Sequence, residues 1–267
     1  MPVARRSALR SLQLLLALAA SLAPLAVAPP LAAEPTRLAV HVLSKGAKFV
    51  GSSMGGVLVT VHDADTGELL ASGATRGSTG DTARIMKEAH GRGAVLSTPD
   101  AARFETVLDL DRPRRLRVAA AGPLAQRQAA NEVSLTQWAV PGRHLDGGDG
   151  LLLELPGFVV DVLAPPVHRR IPGGTPELEL AANVTLMCGC PITPGGLWDA
   201  GAYEVRAWIE RDGERVADLP LAFAGSASQF AARWTAPGPG TYEILVFAHD
   251  PANGNTGLDR TAVIVEP

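Results

Sequence analysis

A period of two runs through most of this chain. Val57, Val59 and Val61 share one parity, with Leu58, Thr60 and His62 between them. Leu178, Leu180, Ala182, Val184 and Leu186 share another, with Glu177, Glu179, Asn183 and Thr185 opposite. Successive side chains on a strand point to opposite faces, so this alternation predicts half-buried β-strands. The same pattern predicts strands over residues 38–42, 69–75, 103–110, 115–119, 151–155 and 158–163. Later sets are led by Tyr203, Val205, Ala207 and Ile209, then by Phe230, Ala232 and Trp234, with a closing strand over residues 261–265. Turn residues punctuate them, as in Asp65-Thr66-Gly67-Glu68, Arg211-Asp212-Gly213-Glu214 and Pro237-Gly238-Pro239-Gly240. A helical signal stands at residues 83–89, as a short insertion.

The expected class is therefore all-β, with the strands divided into two consecutive β-sandwich domains. From Val57 to Gly77 the chain runs strand, turn with Thr66-Gly67, strand, then a threonine–glycine segment. This order resembles the transthyretin-like sandwich of carboxypeptidase regulatory-type domains, which implies such a domain over residues 34–163. The insertion at residues 81–90 departs from that family. Gly240-Thr241-Tyr242 before an apolar strand resembles the tyrosine-corner region of bacterial immunoglobulin-like modules, which implies an immunoglobulin-like domain over residues 175–267. Residues 164–174, with Pro165-Pro166 and Gly173-Gly174, read as the linker.

Composition places the 267-residue chain among globular proteins, with 46% hydrophobic and 19% charged residues. The first residues change the picture. Arg5, Arg6 and Arg10 precede an almost wholly apolar run over residues 12–28, and Ala33 offers a small residue for cleavage. Residues 1–33 thus read as a cleaved signal peptide, too short and proline-broken for a membrane anchor. The expected location is a bacterial periplasm or the medium. The very apolar run suits the general secretory route, and Arg5-Arg6 keeps the twin-arginine route open. Cleavage removes three arginines and no acid, moving the net charge from −3 to −6. An acidic chain without Lys/Arg runs has no electrostatic footprint for nucleic acid or a membrane surface.

Candidate chemistry centres on Met187-Cys188-Gly189-Cys190, which holds both cysteines. In an oxidising compartment a Cys188–Cys190 disulfide is expected, though a bridge between positions two apart constrains the unfolded chain little. Thiolates and a thioether also suit Cu(I), so Met187, Cys188 and Cys190, completed by His249, form a candidate copper site. Parity opposes this if the strand continues, because Met187 and Cys188 then point to opposite faces, but Gly189 and Pro191 predict that it does not continue. A thiol–disulfide redox role is a third alternative. His41 and His62 read as structural histidines on two strands, and Met54 and Met86 as packing residues. Residues 250–259 carry Asp and Asn at alternate spacing, loosely like a calcium loop, but read more simply as a hairpin turn. Asn183-Val184-Thr185 is a sequon placed mid-strand.

Two faces break the polar rule. Trp208 shares a face with Glu204 and Arg206, and Leu245, Phe247 and His249 share the outer face of the strand from Tyr242. Large apolar groups there predict a covered surface, either against the first domain or at an interface with a protein partner. The chain carries no nucleophile-elbow, zincin, phosphate-loop or dinucleotide motif. The expected function is a non-enzymatic binding or accessory protein, with copper handling as the specific candidate. A structural or adhesion-type module with an inert disulfide is the alternative.

Overall fold

The computed structural model describes residues 32–267, so the leader read over residues 1–33 lies outside the described residues apart from its last two positions. The chain opens with β1 (Glu34–Ser44), β2 (Leu58–Asp63) and β3 (Leu69–Ala74), followed by the helical insertion α1 (Thr82–Met86). It continues with β4 (Arg103–Leu110), β5 (Arg114–Gly122), β6 (Asn131–Ala139), β7 (Leu151–Leu155) and β8 (Phe158–Ala164). Next come β9 (Arg169–Ile171), β10 (Glu177–Leu186), β11 (Glu204–Arg211) and β12 (Glu214–Pro220). The last four are β13 (Ala222–Phe223), β14 (Gln229–Thr235), β15 (Gly240–Asp250) and β16 (Asn255–Val265). The expected all-β class is the observed one.

The strands form four sheets, ordered β4-β1-β7, β3-β2-β5-β6, β13-β14-β10-β8 and β12-β11-β15-β16-β9. The first two enclose one core. Leu38, Val40 and Val42 of β1 meet Val59, Val61, Leu116 and Val118 across it. The other two enclose a second core, where Leu180, Ala182 and Val184 face Ala207, Ile209, Ile244 and Val246. In β2, β10 and β11 the inward parity is the one the alternation predicts. Each fully buried Leu, Ile or Val stabilises its sandwich by about 1.5–3 kcal/mol relative to exposure.

Local chemistry fixes the turns. Asp63 Oδ1 accepts from the N–H groups of Asp65 and Thr66, at 2.9 and 3.0 Å, and so folds the chain between β2 and β3. Asp81 caps α1 by accepting from Arg84 N at 2.7 Å. That helix ends at Met86, short of the predicted residue 89, as the last-turn pattern gives way to Lys87-Glu88 on the surface. Tyr242 donates its hydroxyl to Gly238 O at 2.8 Å, the corner bond that its position near the start of β15 suggests.

Two expectations are corrected. Residues 158–163 read as the closing strand of the first sandwich, but β8 pairs antiparallel with β10, placing Thr185 opposite Val159 and Val184 opposite Val160. Residues 164–174 read as a linker, but β9 lies within them, pairs parallel with β16 and buries Ile171 in the second core. The chain crosses between the sandwiches at Pro156-Gly157. There Gly157, at φ +129°, packs so closely on Met187 and Asn131 that no β-carbon fits.

Candidate functional site

The Cys188–Cys190 pair is a disulfide. It sits in a turn leaving β10, where Gly189 N donates to Leu186 O at 2.8 Å and Thr185 bridges to Pro191. Both cysteines are buried in the second core. Met187 turns the other way and belongs to the first core, beside Val159. Parity therefore holds through the turn, and the turn straddles the junction. Met54, from a 3-10 turn (Ser52–Met54) of the first sandwich, packs over Gly189.

His249 stands elsewhere. On β15, Ile244, Val246 and Ala248 point into the core that the cysteines occupy, so Leu245, Phe247 and His249 face outward through the far side of that sheet. Met187, Cys188, Cys190 and His249 are not brought together. No group of three or more His, Cys, Asp or Glu among the described residues is arranged to hold a metal. Residues 250–255 form the β15–β16 hairpin turn, in which Asp250 accepts from Ala252 N and Asn253 Nδ2. Its polar side chains are spent on the turn itself. His62 lies on β2 of the first sandwich, and Met86, on α1, packs against the core that holds the cysteines.

The odd outer face proves more informative. β11 and β15 place Arg206 opposite Phe247 and Trp208 opposite Leu245. Trp208 and Phe247 pack edge to face, with ring centroids 4.8 Å apart. The Arg215 guanidinium lies over the indole, 3.7 Å from its centroid. This half-exposed face forms one wall of a groove of about 760 Å³. Phe158 of β8 lines it from below, and Gln128 to Asn131 of the first sandwich form the opposite wall. Leu245 lies on the same face outside the groove.

Its electrostatics are nearly balanced. Arg206 and Asp218 pair at 2.7 Å, leaving Glu204 as the acid on the rim without an ion-pair partner among the described residues. Trp208 Nε1 is buried without an acceptor, a cost of about 1–3 kcal/mol that an incoming acceptor would relieve. Phe158 has Tyr203 edge-on at 5.2 Å, and burial raises the Tyr203 pKa, with Asp250 adding to it. The predicted face residues Trp208, Phe247 and His249 thus do share one place. Phe158 and the residues of the opposite wall had no signal in the sequence, because their contribution depends on how the sandwiches meet.

The junction that holds the groove is polar and specific. Asn255, buried in β16, accepts from Gly157 N at 2.6 Å and donates to Gly157 O at 2.9 Å. Trp198 Nε1 donates to Gly46 O at 3.1 Å, and Lys45 Nζ donates to Asn253 O at 3.0 Å.

Fold and site together define an all-β protein of face-packed sandwich sheets, with a disulfide turn at their junction and an aromatic groove beside it. No family model matches the chain, and no curated protein matches it. Similar solved structures include the fibronectin(III)-like modules of Clostridium thermocellum CbhA, 16% identical over 89% of this chain and 91% of that one, with a TM-score of 0.27. Dpr2 Ig1-Ig2 in complex with DIP-Theta Ig1-Ig3 is 11% identical over 87% of this chain and 98% of that one, at a TM-score of 0.29. An engineered protein is 19% identical over 45% of this chain at a TM-score of 0.31, and the chain spans only 22% of its length. Likenesses this distant carry no argument about function, and the β-sandwich class rests on the sheets themselves. Among the described residues no helix is long and apolar enough to cross a membrane.

Proposed function

We propose that the chain is an exported, non-enzymatic binding or accessory protein made of two β-sandwich domains, transthyretin-like and then immunoglobulin-like, that meet at Pro156-Gly157. The observation that carries this is the groove walled by Trp208 and Phe247 and floored by Phe158. Half-exposed aromatic rings held edge to face offer a partner apolar area at little entropic cost. The rim is charge-balanced except for Glu204, so the surface suits an apolar stretch of a partner protein flanked by a basic group.

A structural or adhesion-type role is the second reading, favoured by the closure of Cys188 and Cys190 on each other inside the core. Copper binding by Met187, Cys188, Cys190 and His249 would require reduction of that bridge and passage of His249 through its own sheet. The groove needs neither.

The test places a photo-crosslinking residue at Glu204 in cells exporting the chain, with the same residue at Arg112 in the β4–β5 turn as control. A discrete adduct is expected from position 204 and none from 112. Phe247→Glu should reduce the adduct roughly tenfold or more, since it puts a charge into the apolar centre. Equal cross-linking at both positions, or indifference to Phe247→Glu, would sink the binding assignment in favour of the structural one.

A further inference from the structure

His41 lies on the outer face of the β4-β1-β7 sheet, yet it is only 3% exposed. Leu38, Val40 and Val42 fill the core, so Ala39 and His41 point away from it. The inserted segment that carries α1 and the loop before β7 roof this face. Beneath the roof, the β1–β4 register sets Arg37 opposite Val107, Ala39 opposite Glu105 and His41 opposite Arg103.

The imidazole is held in one tautomer. Nδ1 lies 2.9 Å from the carbonyl oxygen of Asp149. A carbonyl can only accept, so Nδ1 carries the proton. The Asp149 carboxylate in turn accepts from Leu96 N at 2.9 Å and Ser97 N at 2.8 Å, which pins the loop. Burial lowers the His41 pKa below its ordinary value of 6.5, although the Asp149 carbonyl bond opposes the shift. The ring is therefore neutral at pH 7, and Nε2 presents a lone pair. That atom is buried and has no protein partner.

His41 is one of the residues that line a cavity of about 340 Å³, together with Thr98, Arg103, Glu105 and Asp146. The charges around it cancel in pairs. Arg103 Nε donates to Glu105 Oε1 at 2.8 Å and its Nη1 to Pro99 O at 2.7 Å, while Arg37 Nε donates to Asp146 Oδ2 at 2.6 Å. Arg103 Nη2 and Glu105 Oε2 keep hydrogen-bonding capacity for a ligand. An anion there would meet Glu105 and Asp146, and a cation would meet Arg103. A ligand with a hydroxyl that donates to Nε2 and neighbours that both donate and accept fits every group.

We propose that this cavity binds a neutral sugar ring, with one hydroxyl donating to His41 Nε2 and adjacent hydroxyls bridging Arg103 and Glu105. The volume sits at the lower end of the roughly 300–1,000 Å³ of small-molecule sites, enough for one ring. A second depression of about 340 Å³ continues past Arg37 and Val107, so a longer chain has room to follow. A free monosaccharide and the end of a glycan present the same chemistry.

Ring nitrogen NMR of the purified chain reads Nε2 directly. The probes are D-glucose, D-galactose, N-acetyl-D-glucosamine and maltohexaose, with sodium phosphate and ammonium chloride as charged controls. At least one sugar is expected to shift the His41 Nε2 resonance saturably, and neither control should. Tighter binding of maltohexaose than of glucose identifies a glycan end, and equal or weaker binding identifies a monosaccharide. Glu105→Gln lies outside the core and should bind roughly three- to tenfold more weakly, as loss of a hydrogen bond implies. His41→Phe keeps the packing on Phe49 and should lose about tenfold or more, read by isothermal titration. The proposal is overturned if no sugar gives a saturable shift, if phosphate alone does, or if both variants bind as tightly as the parent.

Discussion

Gly189 closes the turn between the two cysteines at φ +74°, a backbone region that glycine enters at little cost. A β-carbon there would also stand 2.7 Å from Met54 Sδ of the other sandwich. Gly189→Ala thus combines backbone strain of about 1–2 kcal/mol with a clash against a flexible side chain. The expected total is a loss of about 2–3 kcal/mol in urea denaturation, and Met54→Ala should relieve the steric share. A double variant about 1 kcal/mol more stable than the sum of the singles confirms the contact. Strict additivity would mean that the turn and the 3-10 segment do not press on each other. The disulfide, Met187 and Gly189 thus lie where the two sandwiches meet.

At the scale of elements, β8 is the strand whose allegiance decides what can fold alone. Its backbone bonds go to β10, and Phe158 and Val160 fill the second core. A fragment of residues 157–267 should therefore show a cooperative thermal transition, whereas residues 165–267 should lack one. The far-ultraviolet dichroism of the two fragments on heating checks this, and equal behaviour would refute the assignment of β8. The sequence makes the faces legible, because parity within a strand is local. Leu178 through Leu186 and Val57 through Val61 turn their apolar sides inward as the alternation predicts. Sheet membership is not local. Residues 158–163 are apolar except for Asp161, and Phe158, Val159 and Val160 are buried on both parities, so alternation does not tie them to one core, and Pro165-Pro166 looks like a stronger boundary than the single Gly157 at which the chain crosses. The candidate copper set finds no support in the structure, for a related reason. Parity already separates Met187 from Cys188 and turns His249 outward, but which core lies behind each face depends on how the sheets pack. The groove is half legible for the same cause, its β11 and β15 wall being readable and its Gln128–Asn131 wall not.

For the whole molecule, the residues that cross the junction matter more than its area. Ala33–Pro267 forms one compact unit. Met187 of the second sandwich sits in the first core, and Ala47 of the first sits in the second. Each core is thus completed by the other half, which predicts a single calorimetric transition for the parent chain. Asn255 is the place to break that coupling. Replacing it with alanine leaves the N–H and C=O of Gly157 without their partners, at a cost of about 2–4 kcal/mol. Asn255→Ala should lower the transition and, combined with Met187→Ala, divide it into two. A parent that already unfolds in two steps would show the sandwiches to be independent. The same variants reach the groove, since its two walls belong to different sandwiches and Gly257, next to the Asn255 clamp, packs directly on Phe158. Asn255→Ala should therefore weaken cross-linking from position 204 while leaving Trp208 and Phe247 untouched. A groove that survives loss of the clamp would belong to the β11–β15 face alone, and the first sandwich would then be a neighbour to the binding surface without forming part of it.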